Sequence, residues 1–148
     1  MKKILVSACL IGEPCRYDGL SKPDNRVFSL ATRYELIPIC PERDGGLPIP
    51  RTPAERIGDR VINKDGIDVT ECYQRGASYA LSLAKKNGCK MAILKAKSPS
   101  CGKGLIYDGT FTRTIKTGNG VCAELLINNN IFVLTEDELG EIDEDNSK

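Results

Sequence analysis

Four stretches of the chain are nearly continuous in apolar and β-branched residues, and each has the length of a buried strand. They are Lys3–Ala8, Glu35–Cys40, Cys89–Ala96 and Ile131–Thr135. Runs of this kind are typical of strands covered on both faces, as in a parallel sheet. Because Pro38 has no backbone donor, we expect the second strand to lie at an edge of the sheet or at a bulge.

Helical periodicity separates these apolar runs. The clearest helix is predicted for Thr70–Asn87, where small and apolar residues share one face. Asp68, followed three residues later by Glu71, predicts a capping box at its start. Shorter helical patterns occupy Arg26–Tyr34 and Val121–Asn129. This alternation predicts an α/β fold: one Rossmann-like domain with an open, mostly parallel sheet.

Long loops follow the first three predicted strands, and right-handed crossovers bring them to the carboxyl edge of the sheet. Pro41–Glu55 contains four prolines and two adjacent glycines, so we predict no regular structure there. Small hairpins are predicted within Arg60–Asp68, turning at residues 64–66, and around Tyr107–Gly109. We expect the domain to span residues 1–138, followed by an acidic, frayed tail at 139–148.

Composition excludes some classes of function. The 21 basic and 20 acidic residues nearly cancel, which argues against an extended nucleic-acid surface. No apolar run approaches the length of a membrane helix. The chain has no histidine, so acid–base chemistry falls to Glu, Asp, Lys, Tyr or Cys. Its seven cysteines cannot all pair within one chain, and we expect reduced thiols and a cytoplasmic location.

Three of the cysteines follow predicted strands: Cys9, Cys40 and Cys101. Ligands of open parallel sheets bind beyond the carboxyl ends of the strands, so we expect these three thiols to converge. Three thiolates suit a soft metal centre that keeps one coordination position open. Cys15 is a fourth ligand, a redox partner of Cys9 or a plain loop residue. The cysteines assigned to core packing are Cys72, Cys89 and Cys122.

Several polar residues near these thiols are candidates for chemistry. Glu42 lies two residues after Cys40 and can activate water or shuttle a proton, although loop acids are usually only exposed. Backbone N–H groups of the 98–104 loop near Gly102, helped by Lys103, can hold an anion. A plain surface turn explains that loop equally well. Candidate contacts for an anion or a carbonyl group are Arg16, Arg51 and Lys95.

The chain carries the segments SACLIGEPCRYDG, PICPERDGGLPIPR, GIDVT and ILKAKSPSCG, followed by YDGTF. Together these motifs, spread from Ile4 to about Glu136, resemble the small bacterial desulfidases typified by thiouracil desulfidase. The resemblance implies a [4Fe–4S] cluster held by Cys9, Cys40 and Cys101. It also implies a fourth, open iron that takes the sulfur of a thiocarbonyl substrate.

The resemblance implies roles for residues around the cluster as well. Glu42 would be the catalytic acid–base group, and Ser98 or Ser100 would support it. A small-molecule substrate, such as a thiolated pyrimidine, would be converted to its oxygen analogue plus sulfide without net redox chemistry.

Three other functions stay open on the sequence. A structural zinc site can be drawn from Cys9, Cys15, Cys40 and Cys101, although the C-x-x-C pairs usual for zinc are missing. A metal-free thiol enzyme can use Cys101 as nucleophile, although no histidine is present as its base. A non-catalytic module that binds a nucleobase-like ligand is the third.

Overall fold

A parallel sheet forms the centre of the protein, as seen in a computed structural model that describes residues 1–142. Its strands run in the order β2–β1–β5–β8, and every neighbouring pair is parallel. The remaining strands form two antiparallel hairpins, β3–β4 and β6–β7. The predicted α/β class with a mostly parallel sheet is confirmed. The strands are β1 (Lys2–Ser7), β2 (Tyr34–Ile39), β3 (Ala54–Ile57), β4 (Arg60–Asn63), β5 (Met91–Leu94), β6 (Leu105–Tyr107), β7 (Ile115–Thr117) and β8 (Phe132–Thr135).

The edge position predicted from Pro38 is confirmed. β2 is an outer strand of the sheet, and Pro38 stands opposite Val6 of β1. An outer strand needs backbone donors on one side only, so a residue without an N–H is tolerated there.

Four α-helices lie between residues 25 and 128, and the longest agrees with its prediction from end to end. The predicted capping box is wrong, however. The carboxylate of Asp68 accepts a hydrogen bond from the backbone N–H of Thr70 (2.9 Å), while Val69 occupies the N-cap position without a side-chain bond. Asp68 therefore lies one residue too early to cap the helix. The helices are α1 (Asn25–Phe28), α2 (Pro41–Asp44), α3 (Thr70–Asn87) and α4 (Val121–Asn128).

The core lies on both faces of the sheet, because successive strand residues point to opposite sides. In β1, Ile4 and Val6 pack in one buried cluster together with Val27 of α1. Leu5 points the other way and packs in a second cluster with residues of α3 and α4. The strand termini consequently emerge from a three-layer body with a core on each face of the sheet, and the loops after them build the site.

Two local predictions need correction. Pro41–Glu55 is not without regular structure: α2 begins at Pro41, since proline is favoured in the first turn of a helix, and β3 begins at Ala54. The predicted hairpin is built differently, because β4 pairs with the preceding strand β3. The turn at residues 64–66 adds only a single bridge between Ile62 and Asp68.

The other elements follow their predictions more closely. The helix predicted for Arg26–Tyr34 is two short pieces, α1 and a 3-10 turn at Ser29–Thr32, and Tyr34 already belongs to β2. The hairpin predicted around Tyr107–Gly109 is β6–β7. No helix among the described residues is both long and apolar enough to cross a membrane.

The last described residues pack against the core. Ile142 is fully buried in the cluster that contains Val27. Residues 143–148 of the predicted tail lie outside the described residues, and the boundary at 138 remains a prediction.

Candidate metal centre and active site

A cavity of about 530 Å³ opens at the carboxyl edge of the sheet. Cys9 reaches it from the short 3-10 turn after β1, Cys40 from the end of β2, and Cys101 from the loop that follows β5. The next strand along the chain, β2, lies on one side of β1, whereas β5 and β8 lie on its other side. The loops after β1 and β5 therefore diverge, and a crevice opens between them. The structure thus brings the three thiols predicted to converge into one cavity.

All three sulfur atoms belong to free, nearly buried cysteines; Cys9, Cys40 and Cys101 are 8%, 8% and 5% exposed. Burial, reinforced by the neighbouring Cys40, raises the pKa of Cys9 to about 11. Burial and then Cys122 raise the pKa of Cys101 well above its ordinary value. Cys40 differs, because a hydrogen bond from Cys15 lowers its pKa to about 7.

Cys15 lies beside Cys40 rather than apart in a loop. It is 2% exposed and lines the same cavity. Its thiol is hydrogen-bonded to Cys40, which together with burial raises the pKa of Cys15. Its carbonyl oxygen accepts a hydrogen bond from Nη2 of Arg51 (2.9 Å). Cys15 therefore links a candidate ligand to the polar side of the cavity.

The donor set of the cavity fits an iron–sulfur cluster. Within residues 1–142, no three Cys, Asp or Glu side chains are grouped closely enough to hold a single metal ion. In a cluster each thiolate binds a different iron, so its ligands stand further apart than those of one ion. Cys9, Cys40 and Cys101 are nearly buried and supply three soft donors to one cavity, which suits such a cluster.

Glu42 lies in a buried polar network next to the thiols. Its Oε1 accepts a hydrogen bond from Nε of Arg51 at 2.9 Å, and the two side chains are only 15% and 6% exposed. The hydroxyl of Tyr73 also hydrogen-bonds to Glu42, and burial next to this carboxylate raises the pKa of Tyr73. The alternative interpretation of Glu42, as an exposed loop acid, is wrong.

Tyr73 is a site residue that the sequence analysis does not single out, because it lies among the small and apolar residues on the buried face of α3. It is 1% exposed, yet it lines the cavity. A buried tyrosine usually finds a partner for its hydroxyl group. This requirement is the one feature of the sequence that could have indicated a polar neighbour for Tyr73.

Of the two candidate serines, Ser98 lines the cavity. Its hydroxyl oxygen lies 3.5 Å from Oε2 of Glu42 and accepts hydrogen bonds from the backbone N–H groups of Ser100 and Cys101, both at 3.1 Å. Ser100 is fully buried, with its hydroxyl 3.9 Å from the Cys101 sulfur. Ser98 both faces Glu42 and positions the Cys101 loop.

The structure does not support Gly102 and Lys103 as an anion-binding loop. The N–H of Gly102 donates to the carbonyl of Ser98 (2.8 Å), so the turn itself uses this donor. The ammonium group of Lys103 pairs with Glu138 (2.8 Å). Neither residue is among those that line the cavity. Tight turns satisfy their own backbone donors, which the Gly-rich pattern did not reveal.

The basic residues predicted near the site have different surroundings. Arg16, Arg51 and Lys95 all line the cavity. Lys95 forms an ion pair with Glu136 (3.1 Å), and its backbone N–H donates to the hydroxyl of Ser7 (2.9 Å). Ser7 also hydrogen-bonds to Cys101, so this second missed residue ties β1 to the loop after β5.

A model of the 2-thiouracil desulfurase family matches residues 4–138. The chain belongs to this family. It is 41% identical to the uncharacterised protein YbbK of Bacillus subtilis (strain 168) over 149 residues, which cover 94% of this chain and 99% of YbbK. A solved structure of the [4Fe-4S]-dependent thiouracil desulfidase TudS is 45% identical to it. The two chains superpose with a TM-score of 0.94 over 99% of each, which confirms the resemblance and the fold class.

Proposed function

We propose that this protein is an iron–sulfur-dependent desulfidase. It replaces the sulfur of a thiocarbonyl compound, such as a thiolated pyrimidine, with oxygen from water. The observation that carries the proposal is the cavity itself, which three nearly buried thiols line together with Glu42. A volume of about 530 Å³ lies in the range of small-molecule sites. Membership of the 2-thiouracil desulfurase family supports the same chemistry.

Cys9, Cys40 and Cys101 are the residues that would hold a [4Fe–4S] cluster. When bound, it supplies an iron without a protein ligand, a Lewis acid suited to the sulfur of the substrate. Burial raises the pKa of Cys9 and Cys101, so both thiols lose their protons only as the cluster binds.

The remaining chemistry belongs to Glu42 and its neighbours. The carboxylate takes a proton from a water molecule, whose oxygen attacks the thiocarbonyl carbon. The C–S bond then breaks, and the departing sulfur accepts protons to leave as hydrogen sulfide. Water and thiocarbonyl thus become carbonyl and H₂S, with no electron gained or lost. Arg51 and Tyr73 hold the carboxylate in place, and the Ser98 hydroxyl lies 3.5 Å from it, where it can orient the water.

The proposal also covers the cellular compartment of the protein and the size of its substrate. A protein that depends on reduced thiols belongs in a reducing compartment, and we therefore place it in the cytoplasm. The near balance of 21 basic and 20 acidic residues favours a small molecule over an extended nucleic acid as its substrate.

Anoxic reconstitution tests this function. Protein supplied with iron and sulfide is expected to turn brown, to bind about four irons per chain, and to release sulfide from 2-thiouracil. Protein supplied with zinc is the matched control and is expected to be inactive. Activity without any metal would instead support the thiol enzyme with Cys101 as nucleophile. A fully loaded protein that binds the thiolated base without converting it would support the binding module.

A further inference from the structure

The loop Asp108–Thr114, which joins β6 to β7, has an unusual backbone. Phe111 (φ 58°) and Arg113 (φ 61°) both adopt the left-handed conformation. Residues 1–142 contain four non-glycine residues with positive φ, and three of them, Lys97, Phe111 and Arg113, line the cavity. Such conformations cost free energy and persist only where the surroundings hold them, most often at functional sites.

The alternating backbone sorts the side chains of this loop to two sides. Phe111 and Arg113 line the cavity. The hydroxyl groups of the intervening threonines join each other instead, with Thr110 and Thr112 at 2.6 Å and Thr112 and Thr114 at 2.7 Å. The hydroxyl chain thus links alternate residues of the loop, and the residues between them, Phe111 and Arg113, line the cavity.

The carboxylate of Glu55 in β3 binds the backbone of this loop. Glu55 is 8% exposed, and its Oε1 accepts hydrogen bonds from the backbone N–H groups of Gly109 (2.9 Å) and Phe111 (3.1 Å). In the described part of the chain, both hydrogen bonds made by this carboxylate go to the loop. A charged acceptor that binds the N–H of the strained residue itself holds that residue in place.

The neighbouring packing leaves the loop little room. Gly109 (φ 98°) approaches Ile57 of β3 so closely that a Cβ atom at this position would lie 2.5 Å from Cγ1 of Ile57. This approach joins the β3–β4 hairpin to the hairpin that carries Phe111. Arg56 fixes β3 on another side, because it donates to the carbonyl of Asn119 (2.7 Å) and pairs with Glu124 of α4 (2.9 Å).

We propose that Phe111 is the platform on which the planar ring of the substrate stacks, and that Glu55 is a positioning residue that holds the platform. Phe111 is half-buried in the cavity, which Tyr17, Tyr73 and Tyr107 also line, and among these four aromatic residues it alone has the strained, left-handed backbone. A flat aromatic face in such a site selects unsaturated ring thiocarbonyls over open-chain thioamides, because stacking depends on a second flat face. This inference rests on the proposed desulfidase function and assigns the residue that holds the substrate ring.

Steady-state kinetics of the reconstituted protein with 2-thiouracil test the platform. Phe111→Leu keeps an apolar side chain on the same strained backbone but removes the ring. It is expected to raise KM for 2-thiouracil about tenfold while leaving kcat nearly unchanged and KM for thioacetamide unaltered. Phe111→Tyr, which keeps the ring, is expected to retain the wild-type KM. An unchanged KM in Phe111→Leu would overturn the platform.

Two Glu55 variants test its positioning role. Glu55→Gln keeps an oxygen acceptor for both N–H groups, whereas Glu55→Ala removes it. Hydrogen exchange of the peptide covering 108–114 is expected to quicken about tenfold or more in Glu55→Ala, and to stay slow in Glu55→Gln. KM for 2-thiouracil should rise only in Glu55→Ala. Arg60→Ala, which removes an exposed ion pair with Asp68 from the same hairpin, is the control expected to change neither quantity.

The outcomes separate this inference from the function it rests on. If loaded wild-type protein converts 2-thiouracil and Phe111→Leu does so with the same KM, the platform is wrong and the desulfidase stands. If Glu55→Ala exchanges no faster than wild type, or exchanges faster without a change in KM, Glu55 does not position Phe111. If loaded wild-type protein converts no thiocarbonyl compound, the function and the platform both fall.

Discussion

At the scale of single residues, the site depends on polar groups that are buried but paired. Glu42 is held by Arg51 and Tyr73, both of which are almost completely buried. Buried side chains with fixed partners cannot drift, so the carboxylate keeps one position relative to the thiols. The Ser98 hydroxyl lies 3.5 Å from the other oxygen of the same carboxylate, Oε2.

Replacement of Glu42 separates chemistry from cluster binding. Glu42→Gln keeps the size of the side chain but removes the base, and we expect it to retain the cluster and to lose about a hundredfold or more in kcat. Ser98→Ala is expected to do less damage, since it removes one contact rather than the proton acceptor. Sulfide release and the iron content of the same samples are the measurements. Turnover of Glu42→Gln at the wild-type rate would remove Glu42 from the mechanism.

Replacement of the thiols tests the ligand assignment. Serine at position 9, 40 or 101 is expected to abolish the visible absorbance of the reconstituted protein, because a hydroxyl is a poor substitute for a thiolate on iron. Cys72→Ser, at a half-buried position outside the cavity, is the control and should keep the spectrum. Cys15→Ser decides whether that residue is a ligand or a neighbour of Cys40. A folded Cys72→Ser protein without the spectrum would contradict the assignment.

At the scale of elements, the contact between α2 and α3 positions both Cys40 and Glu42. α2 begins directly after Cys40, and its first residue, Pro41, packs against Gly76 of α3. A Cβ atom at Gly76 would clash with the carbonyl oxygen of Pro41. The two helices therefore approach through a glycine that has no room for a side chain.

Gly76→Ala sets helix propensity against packing. Propensity alone favours alanine by about 1 kcal/mol within a helix. The clash with Pro41 is expected to outweigh this gain, to lower the free energy of unfolding by about 1–3 kcal/mol, and to weaken cluster loading by shifting α2. Gly140→Ala, where an added Cβ has nothing within 4 Å, is the control. Urea unfolding measures both variants, and a stabilised Gly76→Ala protein would show that α2 is not held at this contact.

At the scale of the whole molecule, the candidate ligands come from the ends of three different strands, β1, β2 and β5. A cluster bound to all three ties together parts of the sheet that are distant in sequence. Two hairpins, β3–β4 and β6–β7, complete the cavity on its other side without joining the central sheet.

Cluster loading is expected to raise the temperature of unfolding, because a ligand that binds only the folded state stabilises it. For a chain of this size we expect a shift of roughly 5–10 °C. Anoxic thermal unfolding followed by circular dichroism compares loaded and metal-free protein. Cys101→Ser treated identically is the control, and it should show no shift. An equal shift in that variant would mean that iron stabilises the fold from another site.

The sequence by itself determined the features that depend on near neighbours. The period of α3 along residues 70–87, the apolar runs of the strands and the edge position implied by Pro38 follow from local sterics and side-chain alternation. The order of parallel strands carries Cys9, Cys40 and Cys101 to one edge, so their convergence was also predictable. The motifs around them were sufficient to indicate the family.

Only the tertiary structure decided which residues face one another across the site. Ser98 rather than Ser100 faces the cavity. The buried Tyr73 pairs its hydroxyl with Glu42, and Gly102 uses its N–H within its own turn. Glu55 meets the backbone of Gly109, 54 residues away. Partners this distant are selected by how whole elements pack, and no local pattern of hydrophobic and polar residues records that packing.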